Sequence, residues 1–122
     1  LKDYPNTLSK MVTIRLKMIT IYVLELADKN FYVGSTSRPF YQRVKEHIRG
    51  CGSKWTAKHP FKRVVEHYFV ARCVSLQEEN RKTIELMRKH GWRNVRGGDY
   101  TYSQDDAETV RWWLPEEFRA CD

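Results

Sequence analysis

Arg43 and His47 have the types and spacing that suit chemistry on a phosphate. They lie four residues apart in a segment with helical periodicity, so both would project from one face. A guanidinium contacts two phosphate oxygens at once and keeps its proton, whereas an imidazole exchanges its proton near neutral pH. The pair would therefore present a fixed cation and an imidazole to one phosphate. An ordinary polar helix surface is the alternative.

Glu79 is a carboxylate in a position where the helical pattern predicts an apolar side chain. It shares one helix face with Leu76, Thr83 and Leu86. A half-buried carboxylate costs stability unless a metal or a cation compensates it. Glu79 is thus a candidate metal ligand, and an exposed Glu on a slightly rotated helix is the alternative. On the polar face of this helix we predict two salt bridges, Glu78–Lys82 and Glu85–Lys89.

A β-hairpin is predicted directly before the helix that would carry Arg43 and His47. The β-branched and aromatic segment Ile19–Leu26 predicts a buried strand, and Phe31–Val33 predicts a second strand after a short turn. Ser37 is a candidate helix cap, with Pro39 in the first turn. The predicted buried stripe of this helix is Phe40, Val44 and Ile48.

The turn of the hairpin decides whether Tyr22 and Tyr32 share a cavity. An even loop that pairs Leu26 with Phe31 would place the two tyrosines on opposite faces. A three-residue loop, Asp28–Asn30, or an equivalent bulge would pair Leu26 with Tyr32 and bring the tyrosines to one face. We predict the shared face. Two strand aromatics that pack in or beside the core are the alternative.

The second half of the chain predicts one more strand and two helices. Ser75 and Glu78 form a candidate capping box, and Arg96–Gly98 predicts a turn. The predicted elements are a strand at Lys62–Val70 and helices at Leu76–Lys89 and Ser103–Trp113. The order β-β-α-β-α-α indicates an α+β fold, with a small three-stranded, mostly antiparallel sheet flanked by helices.

Charge is unevenly distributed along the 122 residues. Lys and Arg exceed Asp and Glu by 22 to 15, a net charge of +7. From Arg38 to Arg63 eight basic residues stand against one acid, Glu46, whereas the last 24 residues hold seven acids and two bases. Such a basic block favours a polyanion, usually nucleic acid. A solvated basic surface without a partner is the alternative.

Cysteine content and hydropathy indicate the expected compartment. Cys51, Cys73 and Cys121 are three widely spaced cysteines, so a disulfide framework is not expected. No apolar run approaches the length of a membrane span, and no secretion signal is evident. We therefore expect a reducing, cytoplasmic or nuclear location. His47 and Cys51 could share a helix face, but a zinc site would need two further ligands.

The order of these residues resembles the GIY-YIG nuclease superfamily over roughly Met18 to Gly98. Thr20-Ile21-Tyr22 resembles the GIY element, and Tyr32-Val33-Gly34 resembles the YIG element. Arg43 is nine residues after Gly34, and His47 follows it by four. Further on, Glu79 and Asn94 match the family's metal-binding Glu and supporting Asn. Thr20 in place of Gly and Val33 in place of Ile are the departures.

This resemblance implies an endonuclease that hydrolyses DNA phosphodiesters with Mg²⁺ or Mn²⁺ and leaves 3′-OH and 5′-phosphate ends. Glu79 would hold the metal, and Asn94 would support the site. Arg43 would bind the phosphate. Tyr22, preferred over Tyr32, would act on the water, and His47 would accept its proton. A catalytically inactive nucleic-acid-binding module of the same fold is the alternative, and a protein-interaction module with a masking acidic tail is a third reading.

The chain divides into a lead-in at residues 1–17, a nuclease domain at 18–98 and an acidic extension at 99–122 that packs on or beside this domain. Because the chain opens at Leu1, residues before Met11 could come from cloning or a trimmed start. The expected partner is DNA, with RNA left open, and a homodimer or a second chain would supply specificity. The candidate nucleic-acid contacts are Arg38, Lys45, Arg49, Lys54, Trp55 and Lys58. Trp55 would either stack on a base or plug the core.

Overall fold

The structure is a computed structural model that describes residues 18–101 and 114–119. Its strands are β1 (Met18–Leu26), β2 (Asn30–Thr36), β3 (Phe61–Ala71) and β4 (Val95–Gly97). Its helices are α1 (Phe40–Ile48), α2 (Lys54–Lys58), α3 (Ser75–His90) and α4 (Glu116–Arg119). Among these helices none is long and apolar enough to span a membrane. The predicted helix Ser103–Trp113 lies outside the described residues.

The sheet has four strands in the order β3-β1-β2-β4. The mixed α+β class is confirmed, but the predicted three strands are wrong. β1 is antiparallel to β2 and β3, whereas β4 runs parallel to β2. β4 includes Arg96 and Gly97, so the predicted Arg96–Gly98 turn is wrong for these two residues. That prediction depended on two consecutive glycines, which are typical of turns. A Cβ on Gly97 would overlap the Val33 carbonyl oxygen and Thr83, so this glycine permits close strand packing.

β1 is the buried centre of the fold, and its two faces build separate cores. Ile21 and Val23 pack with Leu86 and Met87 of α3. Leu114 and Phe118, from the described part of the acidic extension, join that same core. On the opposite face, Tyr22, Leu24, Leu26 and Tyr32 pack with Phe40 of α1 and Trp55 of α2. Because both faces are covered, the strand is apolar without alternation.

The hairpin register places Tyr22 and Tyr32 on one face, as predicted. The loop is a single 3₁₀ turn, Ala27–Lys29, and pairs Leu26 with Asn30 and Leu24 with Tyr32. The loop begins one residue earlier than predicted, and Leu26 is not paired with Tyr32. The number of loop residues is nevertheless odd, so Tyr32 lies opposite Leu24, two residues from Tyr22 on the same face.

The faces of α1 and α3 differ in part from the predicted stripes. Ile48 is 57% exposed, and His47 occupies the buried position instead. Leu76 is 52% exposed, because α3 reaches the sheet only from its second turn onward. A helix packs on the face that fits its neighbours, and sequence periodicity locates that face only to within about one residue.

Helix ends and surface pairs were also predicted wrongly. Ser37 lies before the Pro39 cap position, and Ser75 is inside α3, where its hydroxyl donates to the Arg72 carbonyl. Glu78 pairs with Arg81 rather than Lys82. Lys82 is instead buried, with its ammonium 2.7 Å from Glu66 and 2.8 Å from Glu85.

Candidate active site

Tyr22 is the buried centre of the candidate site. Its side chain is fully enclosed. The hydroxyl lies 2.7 Å from Nε2 of His47, and Nε of Arg43 donates to it at 3.3 Å. Burial raises the pKa of this phenol well above its usual value, and Arg43 opposes the rise only in part. Tyr22 therefore rests protonated, beside a proton acceptor.

His47 is held as a neutral imidazole. It is 1% exposed, and burial, followed by the charge of Arg43, lowers its pKa to about 4. Nδ1 lies 2.9 Å from the Thr56 hydroxyl, which can donate its own proton to the Ser53 carbonyl at 3.3 Å. We therefore assign the ring proton to Nδ1 and the free lone pair to Nε2, facing Tyr22.

Arg43 is held by three acceptors at once. Besides the Tyr22 hydroxyl, Nη1 donates to Glu46 at 2.6 Å and Nη2 donates to the Gly52 carbonyl at 3.0 Å. Glu46 also accepts two hydrogen bonds from Arg38, and the two arginines lower its pKa to about 2. The plane of the Arg43 guanidinium is thus fixed by these three partners.

Two glycines make room for this arrangement. A Cβ on Gly34 would overlap the phenol ring and hydroxyl of Tyr22, which lies opposite it across the hairpin. A Cβ on Gly52 would overlap the imidazole of His47. The final Gly of the YIG-like element is therefore needed for space, to admit the tyrosine of the GIY-like element.

Tyr32 completes the aromatic group on this face. Its ring centroid is 6.3 Å from that of Tyr22 in an edge-on arrangement, and 5.1 Å from that of His47. Burial first, and then the negative charge of Glu79, raise the pKa of Tyr32. Glu79 belongs to α3, which packs on the opposite face of the sheet.

Glu79 reaches the site past the end of β4. The register of β4 stops at Val33–Gly97, so the edge of β2 beyond Val33 is not covered by this strand. There Ser35 donates a hydrogen bond to Glu79 Oε2 at 2.9 Å, and the Gly98 backbone also hydrogen-bonds the carboxylate. Burial outweighs these bonds and raises the pKa of Glu79. This half-buried carboxylate is the environment that the sequence predicted.

A single carboxylate fits a magnesium-type ion. In the part of the chain that the structure describes, no group of three or more His, Cys, Asp or Glu residues could hold a metal. Mg²⁺ commonly uses one or two carboxylates and completes its shell with water and substrate phosphate. Glu79 suits this role, whereas His47 has both ring nitrogens engaged by Tyr22 and Thr56 and offers no zinc ligand.

A polar cleft of about 440 Å³ lies next to these groups. Ser35, which binds Glu79, and Arg43, which binds Tyr22, both line it. The remaining lining residues are Ile19, Thr36, Ser37, Arg38 and Ser75. The cleft therefore offers room for a phosphate beside the Arg43 guanidinium and Ser35, the residue that hydrogen-bonds Glu79.

The predicted nucleic-acid contacts separate into exposed cations and one buried ring. The exposed cations on or beside α1 and α2 are Arg38, Lys45, Arg49, Lys54 and Lys58. Trp55 is 5% exposed, and its indole N–H donates to the Phe31 carbonyl at 2.9 Å. Its ring also lies under Arg96 at 4.6 Å. Trp55 is a core residue, so its assignment as a base contact is wrong.

Asn94 is not brought to this group. Its side-chain amide donates to the His90 carbonyl at 3.0 Å, at the C-terminal end of α3. His90 is eleven residues beyond Glu79, which corresponds to about 16 Å along the helix axis. The Asn beside the carboxylate is Asn80, whose side chain accepts from the Asp99 backbone N–H and donates to the Asp99 carboxylate.

Four residues that hold the site were not predicted from the sequence. They are Ser35, Glu46, Gly52 and Thr56. Glu46 was the one acid inside a basic block, and that isolation was a usable signal. The other three are small residues, and nothing in their spacing indicated a role.

The candidate site thus combines a buried tyrosine pair, a fixed arginine and a carboxylate at the sheet edge. The model of the GIY-YIG catalytic domain matches residues 18–85. The chain belongs to the GIY-YIG family, in agreement with the resemblance of its motifs. No curated protein and no solved structure gives a significant match.

Proposed function

We propose that this protein is a divalent-metal-dependent endonuclease that cuts or nicks DNA by hydrolysing phosphodiester bonds. The observation that carries the proposal is the position of the Tyr22 hydroxyl, between Nε2 of His47 at 2.7 Å and Nε of Arg43 at 3.3 Å. A buried tyrosine hydroxyl needs a hydrogen-bond partner in any case, but a neutral imidazole acceptor together with a guanidinium donor goes beyond that need. This arrangement instead provides a route for one proton beside a cation.

The proton relay would run from water to Tyr22 to His47. Because burial raises the pKa of Tyr22, a free phenolate would be scarce at neutral pH. Tyr22 can avoid this cost by passing its proton to the neutral Nε2 of His47 as it takes one from the attacking water. The Thr56 hydroxyl would keep the imidazole oriented during the transfer.

Arg43 would bind the scissile phosphate at the mouth of the cleft. Its guanidinium would neutralise charge that builds on the non-bridging oxygens as the water attacks. A Mg²⁺ or Mn²⁺ ion held by Glu79 would supply further charge neutralisation at the phosphate and at the leaving oxygen. Ser35 would hold the Glu79 carboxylate in place.

The substrate class follows from charge. The exposed cations of α1 and α2 belong to the basic block between Arg38 and Arg63 and would lie along a DNA backbone, a contact that carries little sequence information. Specificity would then come from a homodimer or from a second chain.

Nicking of a supercoiled plasmid tests the proposal. Wild-type protein should convert the plasmid in Mg²⁺ or Mn²⁺ and not in EDTA, and His47→Ala should abolish conversion. Salt-sensitive DNA binding with no cleavage in either metal would identify an inactive binding module instead. A protein that neither binds nor cleaves DNA would refute both the nuclease and the inactive binding module.

A further inference from the structure

Phe69 is an exposed aromatic residue on the face of the sheet that carries Tyr22. Its side chain is 71% exposed. In the β1–β3 register Tyr22 pairs with His67 and Thr20 pairs with Phe69. Residues two apart on a strand share a face, so Phe69 stands on the same side as the catalytic tyrosine, diagonally across from it.

A chain of rings leads from the site toward Phe69. The ring of Phe40 lies 5.6 Å from that of Tyr22, and the ring of His67 stacks on Phe40 at 4.4 Å and 20°. Phe69 is the next residue on this face beyond His67. Diagonal neighbours in an antiparallel pair are about 7–8 Å apart, so Phe69 and Tyr22 stand at neighbouring positions of one face, with the Tyr22 hydroxyl itself over Gly34 on the other side of β1.

The surroundings of Phe69 favour a nucleic acid, which is a polyanion with planar bases. Phe69, Thr20 and Thr36 form one row across three strands. The chain continues from that row to Arg38, whose side chain is 52% exposed and lines the polar cleft with Arg43. An exposed ring two strands away from a cleft lined by two arginines is complementary to a strand of nucleotides, each of which combines a stacking base with a phosphate.

We propose that Phe69 stacks on an unpaired nucleobase next to the scissile phosphate, and that the preferred substrate is DNA with unpaired nucleotides at the cut. This inference rests on the nuclease function proposed above. A base can stack on a protein ring only after it leaves its own helix stack. That cost is smallest where the base is already unpaired, so gapped or flapped DNA should bind better than a continuous duplex.

Binding without metal tests the inference apart from catalysis. Two DNAs of equal length would be compared in EDTA by fluorescence anisotropy, a duplex and the same duplex with a short unpaired stretch. Phe69→Ala should weaken binding to the unpaired DNA by roughly tenfold or more and leave duplex binding nearly unchanged. Phe69→Trp should restore the preference. A 2-aminopurine in the unpaired stretch should be quenched by wild-type protein and not by Phe69→Ala.

Leu76→Ala is the matched control, because Leu76 is 52% exposed at the start of α3, which packs on the other face. It should change neither affinity. Equal affinities of wild-type protein for the two DNAs would overturn the inference, as would a Phe69→Leu variant that retains the full preference. Loss of a dimer on Phe69→Ala, seen by light scattering, would assign the ring to a contact between chains and would also overturn it. Wild-type protein that nicks plasmids but shows no preference for DNA with unpaired nucleotides would overturn this inference. It would leave the nuclease proposal intact.

Discussion

The Cα of Gly34 faces the phenol of Tyr22 so closely that no side chain fits between them. The two residues are register partners in the hairpin, and each belongs to a different half of the family motif. The glycine admits the ring, and the ring reaches His47 and Arg43. The two halves of the motif are thus one packing unit.

Gly34→Ala should therefore displace Tyr22 and abolish cleavage. Overpacking of a buried site costs about 1–3 kcal/mol, so the free energy of unfolding should also fall. Gly50→Ala is the control, because a Cβ there would make only an ordinary contact with the Ala57 Cα at 4.0 Å, and the cost comes from a φ of +78°, about 1 kcal/mol. Gly50→Ala should still cleave. Plasmid nicking and urea denaturation measure both effects, and an active Gly34→Ala enzyme would contradict the packing argument.

Glu79→Gln should abolish cleavage and preserve the fold. Burial raises the pKa of Glu79, so the folded protein binds this proton more readily than the unfolded chain does. Above that pKa the ionised carboxylate lowers the free energy of unfolding, and this loss of stability disappears as the pH falls through the pKa. At pH 7 the neutral Gln should raise the melting temperature slightly. DNA binding in EDTA should persist or improve.

Glu85→Gln is the control on the same helix. Glu85 is half-exposed and pairs with Lys82 and Arg81, so its loss should cost no more than about 1 kcal/mol with turnover nearly intact. Glu78 is a less suitable control because it also accepts a hydrogen bond from the Tyr68 hydroxyl. Wild-type cleavage by Glu79→Gln would place the metal elsewhere.

Arg43→Lys should lower kcat by about 10²-fold or more, the typical cost of one preorganised donor. An ammonium keeps the charge but cannot reach Tyr22, Glu46 and the Gly52 carbonyl together from a planar fork. Lys45→Ala, an exposed position two residues along, should cost little. Single-turnover cleavage rates compare the two variants, and equal losses would reduce Arg43 to general electrostatics.

Lys54→Ala with Lys58→Ala should weaken binding to all DNA sequences alike. Both lysines are exposed on α2, and each phosphate contact that is lost lowers the number of released counterions. The slope of log affinity against log salt should therefore flatten by about two units. Lys89→Ala, at the far end of α3, should leave the slope unchanged. An unchanged slope in the double variant would show that α2 does not touch the phosphates.

His47 should make the protein less stable in mild acid. Its pKa in the folded state is about 4, against 6.5 for a free imidazole. The unfolded chain thus binds a proton that the fold excludes, so stability is full above pH 6.5 and falls as pH drops from there toward 4. The loss is about 3 kcal/mol at most. Urea denaturation from pH 7 to 4 should show this slope in wild-type protein and a shallower one in His47→Gln.

Local sequence by itself determined the hairpin, the long helices and the order of the site residues. Side-chain type and periodicity are properties of neighbouring residues, so Ile19–Leu26 indicated a buried strand and Glu79 indicated a half-buried carboxylate. The predicted shared face of Tyr22 and Tyr32 required an odd number of loop residues, and the three-residue turn of the structure meets this condition. The family motif and the basic block depend only on residue order, and both could be read without a fold.

Tertiary structure alone decided which residues meet across the sheet and which face each helix buries. The parallel pairing of β4 with β2 depends on backbone partners more than sixty residues apart, and the short sequence Val95-Arg96-Gly97 gave no strand signal. Trp55 can lie in the core because its indole N–H donates to the Phe31 carbonyl. His47, and not Ile48, is buried at the α1 interface because Tyr22 and Thr56 satisfy both of its nitrogens. Such choices depend on partners supplied by distant segments, which local pattern does not contain.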